Sequence, residues 1–231
     1  MLYIKKNFNI NELSGNEILS FINLSSIKQA LNLPTPSVKK LQFMCDGFLL
    51  ATILSILFLK VVRRYSFDFT SIAEDVFLWA KKNHKKIYVV GAKKKELEEF
   101  LRVIEFEYPG LCLVGSSSGY IPKEKWKDIL IDIDEKRADV LLVSMGAGLQ
   151  EEFLLEAIAN GYRGVGFSCG GFVRQTSTSR KKQYYPKYIS KLKLRAIYRM
   201  YKEPHTIKRY VIDYPINFLK LFFCLRHITV I

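Results

Sequence analysis

Between Ser71 and Gly171 the apolar positions follow two alternating rhythms. SIAEDVFLWAKKN, KKKELEEFLRVIEFEYPG, KEKWKDILIDIDEKRA and LQEEFLLEAIANG repeat their hydrophobic residues at helical spacing. KIYVVGA, LCLVGSSSGYI, DVLLVSMGAG and YRGVGFSCGG are short runs, apolar almost throughout, that stop at glycine and serine. Runs of that length and composition predict strands buried on both faces, and strands that alternate with helices predict a parallel sheet covered by helices on both sides. The expected fold is therefore α/β and Rossmann-like.

The flanks read differently. Residues 1–40 are mixed and polar, with LNLPTPSVKK (Leu31 to Lys40) as turn-rich punctuation, and they predict no clear element. FLLATILSILFLKVV, Phe48 to Val62, is nearly all apolar but only fifteen residues long, short of the roughly 20 needed to span a bilayer. It reads as a core helix. After Tyr184 the alternation ends: YYPKYISKLKLRAIYRMYKEP predicts a basic amphipathic helix closed by Pro204, and an aromatic, apolar segment follows it. Two parts are expected, an α/β domain over residues 1–183 and a basic helical C-terminal appendage over residues 184–231.

Charge sharpens that division. Of 36 lysines and arginines, fourteen lie from Arg174 onward, where Glu203 and Asp213 are the only acids. The other 22 basic and 20 acidic residues nearly cancel. A basic run tied to an apolar end is the composition of an element that lies on an anionic membrane surface. Nucleic acid is a rival partner for the same charge, disfavoured because the run lacks a polar, glycine-rich arm. The start of the chain turns polar after two lysines, so it does not read as a secretory signal, and the protein is expected in the cytoplasm, peripheral to the membrane.

The four cysteines and three histidines are scattered, with no CxxC pair, which argues against a zinc site or a disulfide framework. Asp132-Ile133-Asp134 forms Asp-x-Asp by letter but falls in a predicted charged helix, a poor place for a metal site. Neither GxGxxG after the first strand nor GxxxxGK[ST] occurs, which weakens hydride transfer and ATP hydrolysis as activities. Each strand instead ends in small residues: Gly91-Ala92, Gly115 to Gly119, Gly146-Ala147-Gly148, and Gly166 to Gly171. Ligands of open α/β sheets sit at the carboxyl ends of the strands, so these turns are candidates to line a nucleotide cleft. Any such sheet also needs glycine at its turns.

In this order CDGFLLA, RRYSFDFTSIAEDVF, KIYVVGAKKKELEEF, YPGLCLVGSSSGYI, DVLLVSMGAGLQEEF, YRGVGFSCGGFVRQ and IYRMYKEPHTIKRYV resemble the WecG/TagA/CpsF family of bacterial glycosyltransferases, glycosyltransferase family 26, over roughly Met44 to Phe222. The resemblance implies transfer of an N-acetylated sugar of the N-acetylmannosamine type from UDP to a polyprenyl-diphosphate-linked acceptor at the inner face of the cytoplasmic membrane, for teichoic acid or surface polysaccharide. It implies Asp46, of the Asp46-Gly47 pair, as the base. Gln150 matches a uridine or diphosphate contact, and Glu151 reads equally as a ligand or as a first-turn acid facing the helix dipole. Arg199 and Arg209 match tail arginines suited by their fork to a diphosphate, and Arg174 is a further basic candidate. Gly91, Gly146, Gly148 and Gly166 complete the expected donor site. No cofactor and no metal are expected; a homo-oligomer is possible.

The chain also departs from the family pattern. Cys169-Gly170 stand where Phe-Asp is usual, Gly148-Leu149 where Pro-Lys is usual, and His205 and Thr206 where arginines are usual. A polar Thr/Asn segment upstream of Asp46 is not recognisable in residues 1–40. The competing readings are a catalytically degenerate membrane-bound scaffold of a polysaccharide-synthesis complex and a basic nucleic-acid-binding protein.

Overall fold

The computed structural model describes residues 2–13, 15–33, 40–180, 189 and 194–231. The boundary expected near residue 183, and Lys191 and Leu192 of the basic helix, lie outside these.

Among the described residues eight strands form one sheet, and every pairing is parallel. In chain order they are β1 (Leu2–Ile4), β2 (Ile18–Ile22), β3 (Leu41–Cys45), β4 (Ile87–Gly91), β5 (Leu113–Ser117), β6 (Val140–Ser144), β7 (Val165–Ser168) and β8 (Ile228–Val230). Their spatial order is β5-β4-β6-β7-β2-β3-β1-β8. The helices are α1 (Ile27–Leu31), α2 (Phe48–Phe58), α3 (Ala73–Lys82), α4 (Lys94–Glu107), α5 (Trp126–Glu135), α6 (Leu149–Ala159), α7 (Phe172–Ser179), α8 (Arg195–Lys202) and α9 (Tyr214–Cys224).

The two-residue period of the strands splits the core into two layers. Tyr88, Val90, Leu141 and Val143 face α1, α2, α5, α6 and α9, whereas Ile87, Val89, Val140 and Leu142 face α3, α4 and α7. An aromatic cluster of Phe67, Phe77, Phe100 and Phe172 fills the second layer. Helices thus cover both faces, as the strand composition requires.

Three findings differ from the sequence reading. Residues 2–33, where no element was evident, contribute β1, β2 and α1, and β2 is central and wholly buried. The C-terminal segment, read as an appendage, returns to the edge of the sheet: β8 pairs with β1 as the outermost strand, and Leu221 of α9 is buried in the first core layer. The third concerns α2, read as a core helix. It buries only Leu50, Ala51 and Leu54, and it leaves Phe48, Leu49, Ile56 and Leu57 exposed.

Candidate functional site

Because every strand runs the same way, all the carboxyl ends lie on one edge. The chain passes from β4 outward to β5 and then back across to β6, so the order reverses between β4 and β6, where open α/β sheets form a crevice. A cleft of about 940 Å³ runs along that edge, a volume suited to a small-molecule ligand. Its walls come from the ends of six strands: Asn23 after β2, Asp46 and Gly47 after β3, Ala92 after β4, Gly119 after β5, Ser144 to Ala147 from the end of β6 and Ser168 to Gly171 from the end of β7.

Asp46 follows the last residue of β3, and its side chain remains 33% exposed on the cleft. Arg64 Nη2 lies 3.4 Å from Asp46 Oδ1 and 2.8 Å from Asp68 Oδ2. Ser66 and Thr70 donate to Asp68 and fix it. Withdrawal from water pushes the Asp46 carboxyl above the usual carboxylate range; Arg64 opposes this most, Asp68 adds to it, and Arg199 and Arg209 also oppose it. Asp68, in contrast, is held below that range by Arg64 and its hydroxyl partners, although burial works against it. The pair is therefore divided into a carboxylate of raised proton affinity and one of lowered proton affinity, and both line the cleft. Burial, with Asp46 nearby, raises the neighbouring Cys45 thiol to about 12, so it is inert as a nucleophile.

Among the described residues, four guanidinium groups line the same cleft: Arg64, Arg174, Arg199 and Arg209. Glu203 holds two of them, with Oε2 at 2.6 Å from Arg174 Nη2 and 3.6 Å from Arg199 Nε. Arg209 Nε donates to Ser25 Oγ, which ties the C-terminal segment to the turn after β2. The fork geometry of arginine and the clustering of four around one space suit a diphosphate.

Gln150 also lines the cleft, but it is only 3% exposed and both ends of its amide are engaged within the protein. Nε2 donates to Glu151 Oε1 at 2.9 Å, and Oε1 accepts from the Gly170 N–H at 3.0 Å. Glu151 is buried beneath it. Its carboxylate accepts from Ser20 Oγ at 2.7 Å and from the Gly148 N–H at 2.7 Å. The second of these bonds caps the start of α6. Ser20 in turn accepts from Ser168 Oγ at 3.1 Å. This network joins the turns after β6 and β7 to β2 and braces the rim of the cleft.

The expected glycines divide. Gly146, with φ +87°, lies at the open turn and lines the cleft. Gly148 begins α6 and does not line it. Gly91 and Gly166 are packing positions: a Cβ on Gly91 would meet the Ser144 carbonyl oxygen at 2.4 Å, and one on Gly166 would meet Ile18 Cδ1 at 2.5 Å. Of the expected residues the structure thus gathers Asp46, Gly146, Gln150, Arg174, Arg199 and Arg209 around one space, and leaves Gly91, Gly148, Glu151 and Gly166 outside its lining.

Sequence reasoning missed Arg64, Asn23 and Ser26, all of which line the cleft. Asn23 to Ser26 form a turn at the cleft after β2; Asn23 Oδ1 accepts from the Ser25 N–H at 2.9 Å and from Ser25 Oγ at 2.7 Å. Its signal was a polar turn after an apolar run, FINLSS. At Cys169-Gly170 there is no charge to replace the usual aspartate, since burial holds the Cys169 thiol well above its ordinary range. Asp132 is engaged on α5, where it accepts from Tyr88 Oη at 2.6 Å and from Lys136 Nζ at 3.0 Å. Among the described residues no three His, Cys, Asp or Glu side chains cluster as metal ligands.

The sequence profile of the Glycosyl transferase WecG/TagA/CpsF family matches residues 38–228. A UDP-Gal:alpha-D-GlcNAc-diphosphoundecaprenol beta-1,4-galactosyltransferase of Shigella boydii is 31% identical over 217 residues, covering 92% of this chain and 90% of the relative. An N-acetylglucosaminyldiphosphoundecaprenol N-acetyl-beta-D-mannosaminyltransferase of Bacillus subtilis (strain 168) is 28% identical over 130 residues, covering 56% of this chain and 49% of the relative.

Proposed function

Because the chain belongs to the WecG/TagA/CpsF family of glycosyl transferases, and is therefore a glycosyltransferase, we propose that it is an inverting, metal-independent enzyme. In this reading it transfers a hexose from a UDP donor to a sugar carried on undecaprenyl diphosphate, at the inner face of the cytoplasmic membrane. The observation that carries the reading is Asp46, a carboxylate of raised proton affinity, facing a cleft that also holds Arg64, Arg174, Arg199 and Arg209.

In the reaction, the acceptor hydroxyl oxygen forms a bond to C1 of the donor sugar while its proton passes to Asp46. The bond between C1 and the diphosphate oxygen breaks, and UDP leaves with the electron pair. Arg174, Arg199 and Arg209 stabilise the charge that develops on the diphosphate, the part a bound cation would otherwise take. Both relatives carry a β linkage in their names, which supports inversion from an α-linked nucleotide donor. The galactosyltransferase matches nearly the whole chain, which favours galactose over the N-acetylmannosamine type first expected.

A panel of UDP-sugars, offered with a short-chain lipid diphosphate bearing N-acetylglucosamine, tests the reading directly. UDP-galactose should give a β-linked product and UDP should raise the melting temperature. Asp46→Asn should lower turnover by about 10²- to 10⁴-fold, the range for a general base, and keep the UDP-induced shift. Transfer at the wild-type rate by this variant would remove Asp46 from the mechanism.

A further inference from the structure

We propose that the exposed face of α2 is a membrane-docking element that lies in the surface of an anionic bilayer, acting beside the C-terminal segment and not through it. Phe48, Leu49, Ile56 and Leu57, with Leu59 and Val61 just beyond, form an apolar outer face on a helix whose inner face is already satisfied by the core. Even its hydroxyls are withdrawn: Thr52 Oγ1 donates to the Phe48 carbonyl and Ser55 Oγ to the Ala51 carbonyl. A helix apolar on every side belongs in a core or in lipid, and this one is only half covered by the core.

Leu59 makes the point independently. It caps α2 in the left-handed conformation, with φ 51 and ψ 37 degrees, and the residue is 91% exposed. That conformation favours glycine or asparagine. Neither local backbone preference nor packing explains a leucine there; contact with an apolar phase does. α2 has eleven residues, and no helix among the described residues is long and apolar enough to cross a membrane. The element therefore lies in the interface plane.

Charge and position select lipid as the occupant. From Phe48 to Arg64 there is no acidic residue, and Lys60 and Arg63 are exposed at the end of the apolar face. Lys60 Nζ donates to the Val230 carbonyl at 2.6 Å, which joins this end of α2 to β8 and the C-terminal segment. In that segment Lys208, Lys220 and Arg226 are exposed among apolar residues such as Leu219 and Phe223. The opposite end of α2 begins two residues after Asp46, and Phe48 and Leu49 line the cleft. One helix thus runs from the base to the apolar surface, so a lipid-linked acceptor would meet Asp46 without leaving the bilayer surface.

This deepens the proposed function by naming the surface through which the lipid-linked acceptor is met. Co-sedimentation of the full chain with vesicles of equimolar phosphatidylglycerol and phosphatidylethanolamine tests it; the assay contains no sugar donor, so it stands or falls separately from the transfer reaction. Ile56→Asp with Leu59→Asn should lower vesicle binding roughly tenfold, the scale expected when apolar area leaves the interface. The same variant should melt no lower than wild type and turn over a water-soluble acceptor at the wild-type rate. Phe223→Asp should add a further, separate loss. Wild-type vesicle binding by the α2 variant would overturn the proposal. So would unchanged vesicle binding accompanied by loss of a dimer in analytical ultracentrifugation, which would give this face to a second copy of the chain.

Discussion

Asp46 sits between opposing influences, and their balance sets its chemistry. Removal from water raises its proton affinity, and Arg64, 3.4 Å away, is the largest influence in the other direction. A base must be deprotonated to act, so activity should rise with pH through the pKa of Asp46. Arg64→Gln removes a charge that favours the ionised form; the Asp46 pKa should rise further and the acidic limb of the kcat/KM profile should move to higher pH. Comparing the two pH profiles checks this, and an unmoved limb would uncouple Arg64 from Asp46. The Asp46-Gly47 pair was legible through the family resemblance and the apolar helix that follows it, since Asp-Gly by itself is a common turn. Arg64 was not, since RRYSFDF shows two adjacent arginines and only the fold decides which one turns inward: Arg64 reaches Asp46, while Arg63 is exposed.

At the scale of elements, the cleft is a set of turns braced by buried hydrogen bonds. Glu151 is the hub, accepting from Ser20, Gly148 and Gln150. Glu151→Gln replaces one acceptor oxygen by a donor that faces donors, and leaving a buried polar group unmatched costs about 1 to 3 kcal/mol. Denaturant unfolding should show a loss of that size together with a weaker UDP-induced shift, because the Gln150 amide and the Gly170 N–H lose their support. MGAGLQEEF announced a turn and a helix start plainly, by letter. It did not tell which of Gln150, Glu151 and Glu152 faces ligand, core or solvent, because that depends on β2, a strand distant in sequence. The helices and strands between Ser71 and Gly171 were legible for the opposite reason, as their hydrophobic periods are local. β1 and β8, at three residues each, are too short to carry a period, and their pairing across the whole chain supplies what propensity does not.

For the molecule as a whole, a net charge of +14 concentrated toward the C-terminus meets exposed apolar faces on α2 and α9. The two contributions separate by ionic strength. Raising salt from about 0.1 M to about 1 M shortens the Debye length from about 10 Å to about 3 Å, so binding to anionic vesicles should fall by about an order of magnitude. A residual apolar component should persist in sedimentation at high salt. Binding that vanishes completely would assign the attachment to charge alone.

Composition and periodicity, read along the chain, determined the α/β class, the parallel sheet, the carboxyl-edge location of the candidate site and the basic character of the C-terminal segment. Each of these depends on neighbours close together in the sequence. Tertiary structure alone decided that Gly91 and Gly166 pack while Gly146 opens to the cleft, that Glu151 lies buried beneath Gln150, that Asn23 stands beside Asp46, and that α2 shows half its apolar surface to solvent. Those are properties of contacts between segments far apart along the chain, as when β1 pairs with β8 or Lys60 reaches Val230. Burial of a side chain is set by what folds over it, which no local pattern records.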